Sequence, residues 1–376
     1  MDVKLPLPLL GGLSPAAFMR RHWQKKPLLI RQAVPDAGTL MDRAELFELA
    51  AQPQVESRLV VASDAAGGRW RMRQGPVPRR GLPPLKRPGW TLLVQGVDLH
   101  LDTAHRLLNG FRFVPDARLD DVMVSFATDG GGVGPHVDSY DVFLLQLHGR
   151  RRWRIGRQKD LSLQEGLPLK ILRDFQPDQE FMLDAGDMLY LPPKYAHDGV
   201  AMGECMTLSV GFNAPSRGGL AGELLQRLAQ DAEEVAGPRL YRDPSQPALA
   251  SPAAIPPRLQ DFARAALLQI AQDPAVLQRA LGEYLTEPKA QVWFASSKDG
   301  LPSTSAIRLD RKTRMMYDAR HVFINGESYR AGGRDAELMR RLADGRALSA
   351  QDHRRASVAA RSLLQEWALT GWLHAA

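Results

Sequence analysis

The sequence predicts a mainly β N-terminal domain of sandwich or barrel type, then an all-helical segment, then a mixed α+β region. Three observations carry this. Between Trp90 and Phe212, short apolar runs rich in β-branched and aromatic residues are separated by Gly, Asp and Pro turns. After Pro215, leucines recur at helical spacing. From Val292, strand-like runs mix with helical ones. At 376 residues the chain exceeds one ordinary core, so two or three domains are expected.

In chain order, Ser14 can cap a short helix carrying Phe18 and Trp23; Lys26-Pro27 ends it, and Leu28–Ile30 reads as a brief strand. Residues 43–51 read as helical, with Leu46 and Leu49 on one face. From Ala65 to Val97 there is no acidic residue, while Arg69, Arg71, Arg73, Arg79, Arg80, Lys86 and Arg87 all fall there. Five prolines predict that most of this segment is irregular: either a solvated basic loop or a surface facing a polyanion such as ribosomal RNA. The predicted strands are Trp90–Val97, Val122–Ala127, Val142–Leu147, Trp153–Ile155, Glu180–Leu183, Met188–Leu191 and Met206–Phe212. Helices follow over 220–236 and 256–285, split by the Pro-rich stretch Pro244–Pro257. The last region predicts strands Ala306–Leu309, Arg314–Tyr317 and His321–Ile324, a hairpin turn at Asn325-Gly326, and helices Asp335–Leu342 and Ser349–Gly371.

Composition excludes several classes. Hydrophobic residues at 44% and charged residues at 24% are ordinary for a globular chain. No apolar run approaches the ~18 residues of a membrane helix. A single cysteine, Cys205, excludes a disulfide framework and any Cys-rich metal site. Pro6 and Pro8 break the short apolar start, which does not resemble a signal peptide, so a cytoplasmic location is expected. A net charge of +7 spread over this length says little about partners.

The chemistry concentrates in Gly134-Pro135-His136-Val137-Asp138. On a strand, His136 and Asp138 point to the same face. The segment Gly186-Asp187 through Pro192-Pro193 to His197 offers a third ligand. Two imidazoles and one carboxylate form the facial triad of non-haem Fe(II) enzymes, which leaves coordination positions open; a zinc site from the same ligands is also chemically possible.

The run Ser125–Phe143, with His136, Asp138 and the following Gly149-Arg150-Arg151-Arg152-Trp153-Arg154, resembles the metal-binding strands of bacterial JmjC-type ribosomal oxygenases. Phe18…Trp23-Gln24-Lys25-Lys26-Pro27-Leu28-Leu29-Ile30-Arg31 is similar to the segment that opens their catalytic domain. The resemblance implies a double-stranded β-helix (a cupin- or JmjC-like jelly roll) over 1–215. It further implies a helical dimerisation segment over 216–288 and a winged-helix-like α+β domain over 289–376. The implied chemistry uses Fe(II), with O₂ and 2-oxoglutarate as co-substrates. The implied reaction is hydroxylation of an arginine in a large-subunit ribosomal protein, and the implied partners are that protein and a second copy of the chain.

2-Oxoglutarate is a dianion whose far carboxylate needs a cation in a dry pocket, and an arginine fork suits it. Arg151 is the candidate, at the position where the family motif places its cation; strand alternation sends Arg150 and Arg152 the other way. Ser125, on the preceding strand, could donate a hydroxyl to the same carboxylate or be a small core residue. For a substrate arginine, Asp129 and Tyr140 flank the triad motif, although a turn role accounts for Asp129 and barrel packing for Tyr140. Within the enzyme class, histidine hydroxylation or lysyl demethylation is the alternative. A different class, a nucleic-acid-binding regulator with a ligand-sensing barrel, would rest on Arg308, Arg311, Lys312, Arg314 and Arg320. Asp310 and Asp318 interrupt that cluster, which weighs against direct nucleic-acid binding there.

Overall fold

The structure, a computed structural model, describes residues 2–62, 70–302 and 305–376; Arg69 of the basic segment lies outside the described residues. The chain divides into two compact units, Met1–Ala214 and Pro215–Ala376.

The first unit opens with α1 (Pro15–Arg21), whose end is capped by Ser14 accepting the Ala17 N–H, with proline at the first helical position. Then come β1 (Leu28–Ile30) and α2 (Arg43–Ala50), the latter closed by a reciprocal Asp42–Glu45 capping box. β2 (Ser57–Val61), β3 (Arg71–Gln74), β4 (Trp90–Val94) and α3 (Asp102–Asn109) follow. The barrel strands are β5 (Leu119–Ala127), β6 (His136–Val137), β7 (Val142–Arg157), β8 (Gln179–Leu183), β9 (Met188–Leu191) and β10 (Tyr195–Phe212). They pair in the order β1-β9-β7-β10-β5-β4-β2-β3, with β6 added to β10 and β8 added to β7.

The double-stranded β-helix arises because β7 and β10 are long, antiparallel and bent. The N-terminal half of β7 pairs with β9, and its C-terminal half with β8. The C-terminal half of β10 pairs with β5, and its N-terminal half with β6. Each long strand therefore serves two sheets. The bend falls where the β7–β10 register shifts, around Met202–Thr207, opposite Gly149. Gly149 has φ +63°, and a Cβ there would lie 2.1 Å from the Glu204 carbonyl, so only glycine fits. The bend also switches parity. Before it, Val142 and Leu144 face the space between the sheets; after it, Trp153 and Ile155 do, packing on Leu183, Leu189 and Leu191. The opposite face of the larger sheet carries Phe143 and Leu145, which pack with Phe18, Phe111, Tyr190 and Phe212 beneath the N-terminal segments.

Several expectations need correction. The strands read as Val142–Leu147 and Trp153–Ile155 are one continuous strand. The strand from Trp90 ends at Val94, because Gly96 turns left-handed at φ +63° and α3 follows. Most of the described basic segment is irregular, as expected, but Arg71–Gln74 adds an edge strand on β2 that the sequence did not predict. β10 begins at Tyr195 rather than Met206, which puts His197 on a strand.

The second unit contains α4 (Arg217–Leu228), α5 (Ala232–Ala236), α6 (Pro257–Gln272) and α7 (Pro274–Thr286) around a small core of Leu228, Ile270 and Ala280. After them, β11 (Ile307–Leu309), β12 (Met315–Tyr317), β13 (His321–Ile324), β14 (Glu327–Arg330), α8 (Gly333–Gly345), β15 (Ala347–Leu348), α9 (Ala350–Arg355), α10 (Val358–Leu369) and β16 (Leu373–Ala375) build the winged-helix-like part. Its sheets run β15-β11-β16 and β12-β13-β14 over a core containing Leu338, Leu342, Leu364 and Trp367. Asn325 and Gly326 both take positive φ, the condition of a tight I′ hairpin. The helix expected over Ser349–Gly371 is two helices, the second capped by Ser357.

Candidate metal and co-substrate site

β6 is only two residues long, and it is placed by pairing His136 with His197 and Val137 with Ala196 on β10. Gly134, at φ +77°, leads into it; a Cβ there would press on Ile171 at 2.9 Å and on the Trp70 ring at 3.3 Å. The turn after it is fixed by the Lys194 N–H donating to the Asp138 carbonyl at 3.0 Å. One ligand atom from each of His136, Asp138 and His197 lies within 4.8 Å of the others. His197 Nε2 stands 3.5 Å from Asp138 Oδ2, and the two imidazole centroids are 4.2 Å apart.

Hydrogen bonding sets the tautomers. Nδ1 of His136 lies 2.9 Å from the Gly134 carbonyl, and Nδ1 of His197 lies 3.0 Å from the Tyr195 carbonyl. A carbonyl only accepts, so each Nδ1 carries the proton and each Nε2 presents its lone pair. His197 is 3% exposed. Burial first, and the neighbouring His136 second, lower its pKa to about 4, so the ring is neutral near pH 7. Two imidazoles and a carboxylate converging on one point suit a divalent iron that keeps free positions for co-substrates.

Arg151 lies on β7 just past the bend, opposite Ala201, and is 5% exposed. Its Nη1 donates to Ser125 Oγ at 3.4 Å, a bond that bridges the two sheets. Its Nε and Nη2 are buried with no hydrogen-bond partner, and no carboxylate pairs with it among the described residues. A buried guanidinium left open in this way is the complement of an anion. Of its neighbours on the opposite face, Arg150 is exposed and Arg152 is half-buried with its Nε unpartnered, and Arg154 pairs with Asp198 at 2.6 Å.

Trp153 was not singled out by the sequence. It lies on the Arg151 face, 5.7 Å from the guanidinium and 5.9 Å from the His197 ring. Gly199 makes room for it, since a Cβ there would sit 2.6 Å from the indole. The signal available was the alternation shared with Arg151. Asp129 accepts the Gly203 N–H at 2.8 Å, so it ties the end of β5 to the β10 bend. Tyr140 is 40% exposed; partial burial and the carboxylates of Asp138, Asp121 and Asp120 raise its pKa. Among the described residues no hydrogen bond or ring contact joins either residue to His136 or His197, although Tyr140 lies within electrostatic reach of Asp138.

Fold and site together define a JmjC-domain oxygenase: a double-stranded β-helix holding a two-histidine, one-carboxylate triad and a buried cation. Residues 106–220 match the JmjC domain family, and residues 269–374 match the ROXA-like winged helix. The chain is 36% identical to the ribosomal protein uL16 3-hydroxylase of Escherichia coli K12 over 285 residues, which is 74% of this chain and 73% of that protein. It is 37% identical to a probable ribosomal oxygenase of Haemophilus influenzae, covering 54% of this chain and 50% of that one. A crystal structure of the E. coli ribosomal oxygenase YcfD in complex with cobalt and 2-oxoglutarate superposes with a TM-score of 0.80 at 30% identity, over 96% of this chain and 98% of that one. The chain belongs to the JmjC-domain ribosomal oxygenase family.

Proposed function

We propose that this protein is an Fe(II)- and 2-oxoglutarate-dependent hydroxylase of an arginine side chain in a large-subunit ribosomal protein. The observation that carries the reading is the pairing of an open His136–Asp138–His197 triad with the buried, half-satisfied guanidinium of Arg151. The three side chains would hold the iron, and Arg151, with Ser125 beside it, would hold the far carboxylate of 2-oxoglutarate. Iron and co-substrate, when bound, supply the activation of O₂ and the oxidation of a C–H bond. The chain's own part is positional. Gly134 and Tyr195 carbonyls fix both imidazoles, Trp153 and Leu144 keep water from the chamber, and Arg151 fixes the direction of the dianion.

An arginine target fits the surroundings of Tyr140, an aromatic ring within electrostatic reach of Asp121 and Asp120, with Arg58 opposing them and Asp138 assigned to the metal. Among relatives, a chicken ribosomal oxygenase 1 and a Dictyostelium demethylase and histidyl-hydroxylase are only 28% and 33% identical over smaller shares of this chain. Mass spectrometry of ribosomal proteins from cells lacking the gene tests the reading. Loss of a one-oxygen mark from an arginine peptide of uL16 is expected. Loss from a histidine peptide would replace the arginine assignment.

The helices over 217–286 support a homodimer: Leu225, Leu267 and Leu268 are exposed, Leu267 at 67%. Light scattering should give twice the chain mass. A ribosomal substrate and a lone cysteine agree with a cytoplasmic location, and no helix among the described residues is long and apolar enough to cross a membrane.

A further inference from the structure

The basic segment is the feature that the hydroxylase chemistry does not use. Arg71, Arg73, Arg79, Arg80, Lys86 and Arg87 are all exposed, within a stretch that has no acidic residue from 65 to 97. None of the six pairs with a carboxylate among the described residues. Elsewhere in the same unit several arginines are paired: Arg31 with Asp187, Arg43 with Glu204, Arg112 with Asp116 and Arg154 with Asp198, each at 2.6 Å. The segment is also held in place rather than loosely tethered. Val77 is fully buried and its N–H donates to the Ala50 carbonyl. Arg73 donates to the Gly81 carbonyl at 2.9 Å, which fastens the 79–81 turn to β3, and Trp90 Nε1 donates to the Pro84 carbonyl. A fixed field of unneutralised cations is unfavourable through mutual repulsion unless it meets an anion.

Its location connects it to the active site. Trp70, immediately before β3, packs against Gly134, two residues ahead of His136. The segment therefore flanks the strand that presents the metal ligands. We infer that this surface docks the sugar–phosphate backbone of RNA beside the active site, which presents a ribosomal protein together with its RNA neighbour. The inference rests on the ribosomal-substrate reading above. RNA is favoured over an acidic protein for two reasons. Five of the six cations are arginines, whose planar forks bind phosphate bidentately. The edge strand is blunted by charge and followed by Pro76, so it is a poor template for adding a peptide strand.

The test uses the full chain, a fluorescein-labelled oligouridylate, a polyglutamate of similar length, and RNA-free uL16 as turnover substrate. The wild type should bind the RNA with a log–log salt slope of about −3, as expected for four or so phosphate contacts at about 0.7 each on a single strand. Combining R79E, R80E, K86E and R87E should weaken RNA binding more than tenfold. A control combining K26E, K159E, K170E and R173E, also at exposed positions, should weaken it less than threefold. Turnover of RNA-free uL16 should be unchanged in both. If the charge-reversed chain loses turnover, the milder K86A and R87A pair takes its place, with a loss of at least threefold in RNA binding expected. No RNA binding by the wild type, equal losses in the two quartets, or tighter binding of polyglutamate would each overturn the inference. Absence of uL16 turnover in the wild type would instead overturn the substrate reading, while the RNA titration would still stand.

Discussion

The two sides of the larger sheet look onto buried polar groups that are treated in opposite ways. On the helix-covered face, Asp141 is fully buried but accepts from the Tyr190 hydroxyl at 2.6 Å and from Gln24 Nε2 at 3.0 Å, with Arg118 beside it at 3.5 Å. On the side between the sheets, Arg151 projects from the smaller sheet and is also buried, at 5% exposed, yet two of its three nitrogens have no partner. Burying an unpaired guanidinium is costly, and burying a satisfied carboxylate much less so. The first face is built for the fold. On the function proposed above, the second gives up stability for a ligand, and substitutions on the two sides should therefore separate stability from function.

The largest functional effect belongs to the triad. His136→Ala should abolish 2-oxoglutarate turnover in metal-controlled buffer, with a melting temperature near that of wild type, because among the described residues the His136 side chain hydrogen-bonds only a local carbonyl. Retained turnover would remove His136 from the site. The mirror experiment is Asp141→Ala. It leaves the buried Tyr190 hydroxyl without its acceptor, at about 1–3 kcal/mol, while the Gln24 amide, on an exposed residue, can turn to water. Denaturant titration should show the first unit weakened by that order, while turnover per folded molecule persists. Lost turnover with unchanged stability would mean that Asp141 serves the chemistry.

Next comes Arg151→Ala. Losing one partner of a buried charge pair typically costs about 2–5 kcal/mol, and each ~1.4 kcal/mol is tenfold. Anaerobic titration of the iron-loaded protein should show 2-oxoglutarate affinity down by more than tenfold. Arg151→Lys should recover only part of it, since an ammonium cannot reproduce the planar fork. Arg152→Ala, on the opposite face, should change affinity little. Without ligand, Arg151→Met should be at least as stable as wild type, because it removes an unpaired buried cation. A clear loss of stability would mean that Arg151 is structural, like Asp141.

The sequence made one of these faces more legible than the other. The His136–Asp138 spacing and the Gly-Asp to His197 segment are local signals, and each ends on the same metal position. Alternation correctly separates Arg151 from Arg150 and Arg152, but it cannot say which set points inward. Counting from Val142 and Leu144 would put Arg150 and Arg152 inside; the left-handed Gly149 reverses the parity, and its need for glycine comes from Glu204, far away in sequence. β3 escaped notice for a similar reason. An arginine-rich stretch among prolines has no strand pattern of its own and is held by its ladder with β2. Asp141 lies three residues from Asp138, inside the run that resembles the metal-binding strands, and nothing local marks it as structural. Its partners Gln24 and Tyr190 are 117 and 49 residues away, so its structural role emerges only in the fold.

The smallest effect is the most discriminating for the chamber. Ser125 Oγ accepts from Arg151 Nη1 and donates to the Thr207 carbonyl, both at 3.4 Å, so each bond is long and individually weak. Ser125→Ala should therefore reduce 2-oxoglutarate affinity by only about 0.5–1.5 kcal/mol, or roughly two- to tenfold. The mechanism is separable by a double-mutant cycle. If Ser125 acts by steadying the guanidinium, its removal in the Arg151→Ala background should have almost no further effect, because the group it steadies is gone. If it donates directly to the co-substrate carboxylate, the loss should persist undiminished in that background. An effect on stability rather than affinity would place Ser125 with the satisfied groups of the other face, and the contrast between the two faces would then begin one strand later than drawn here.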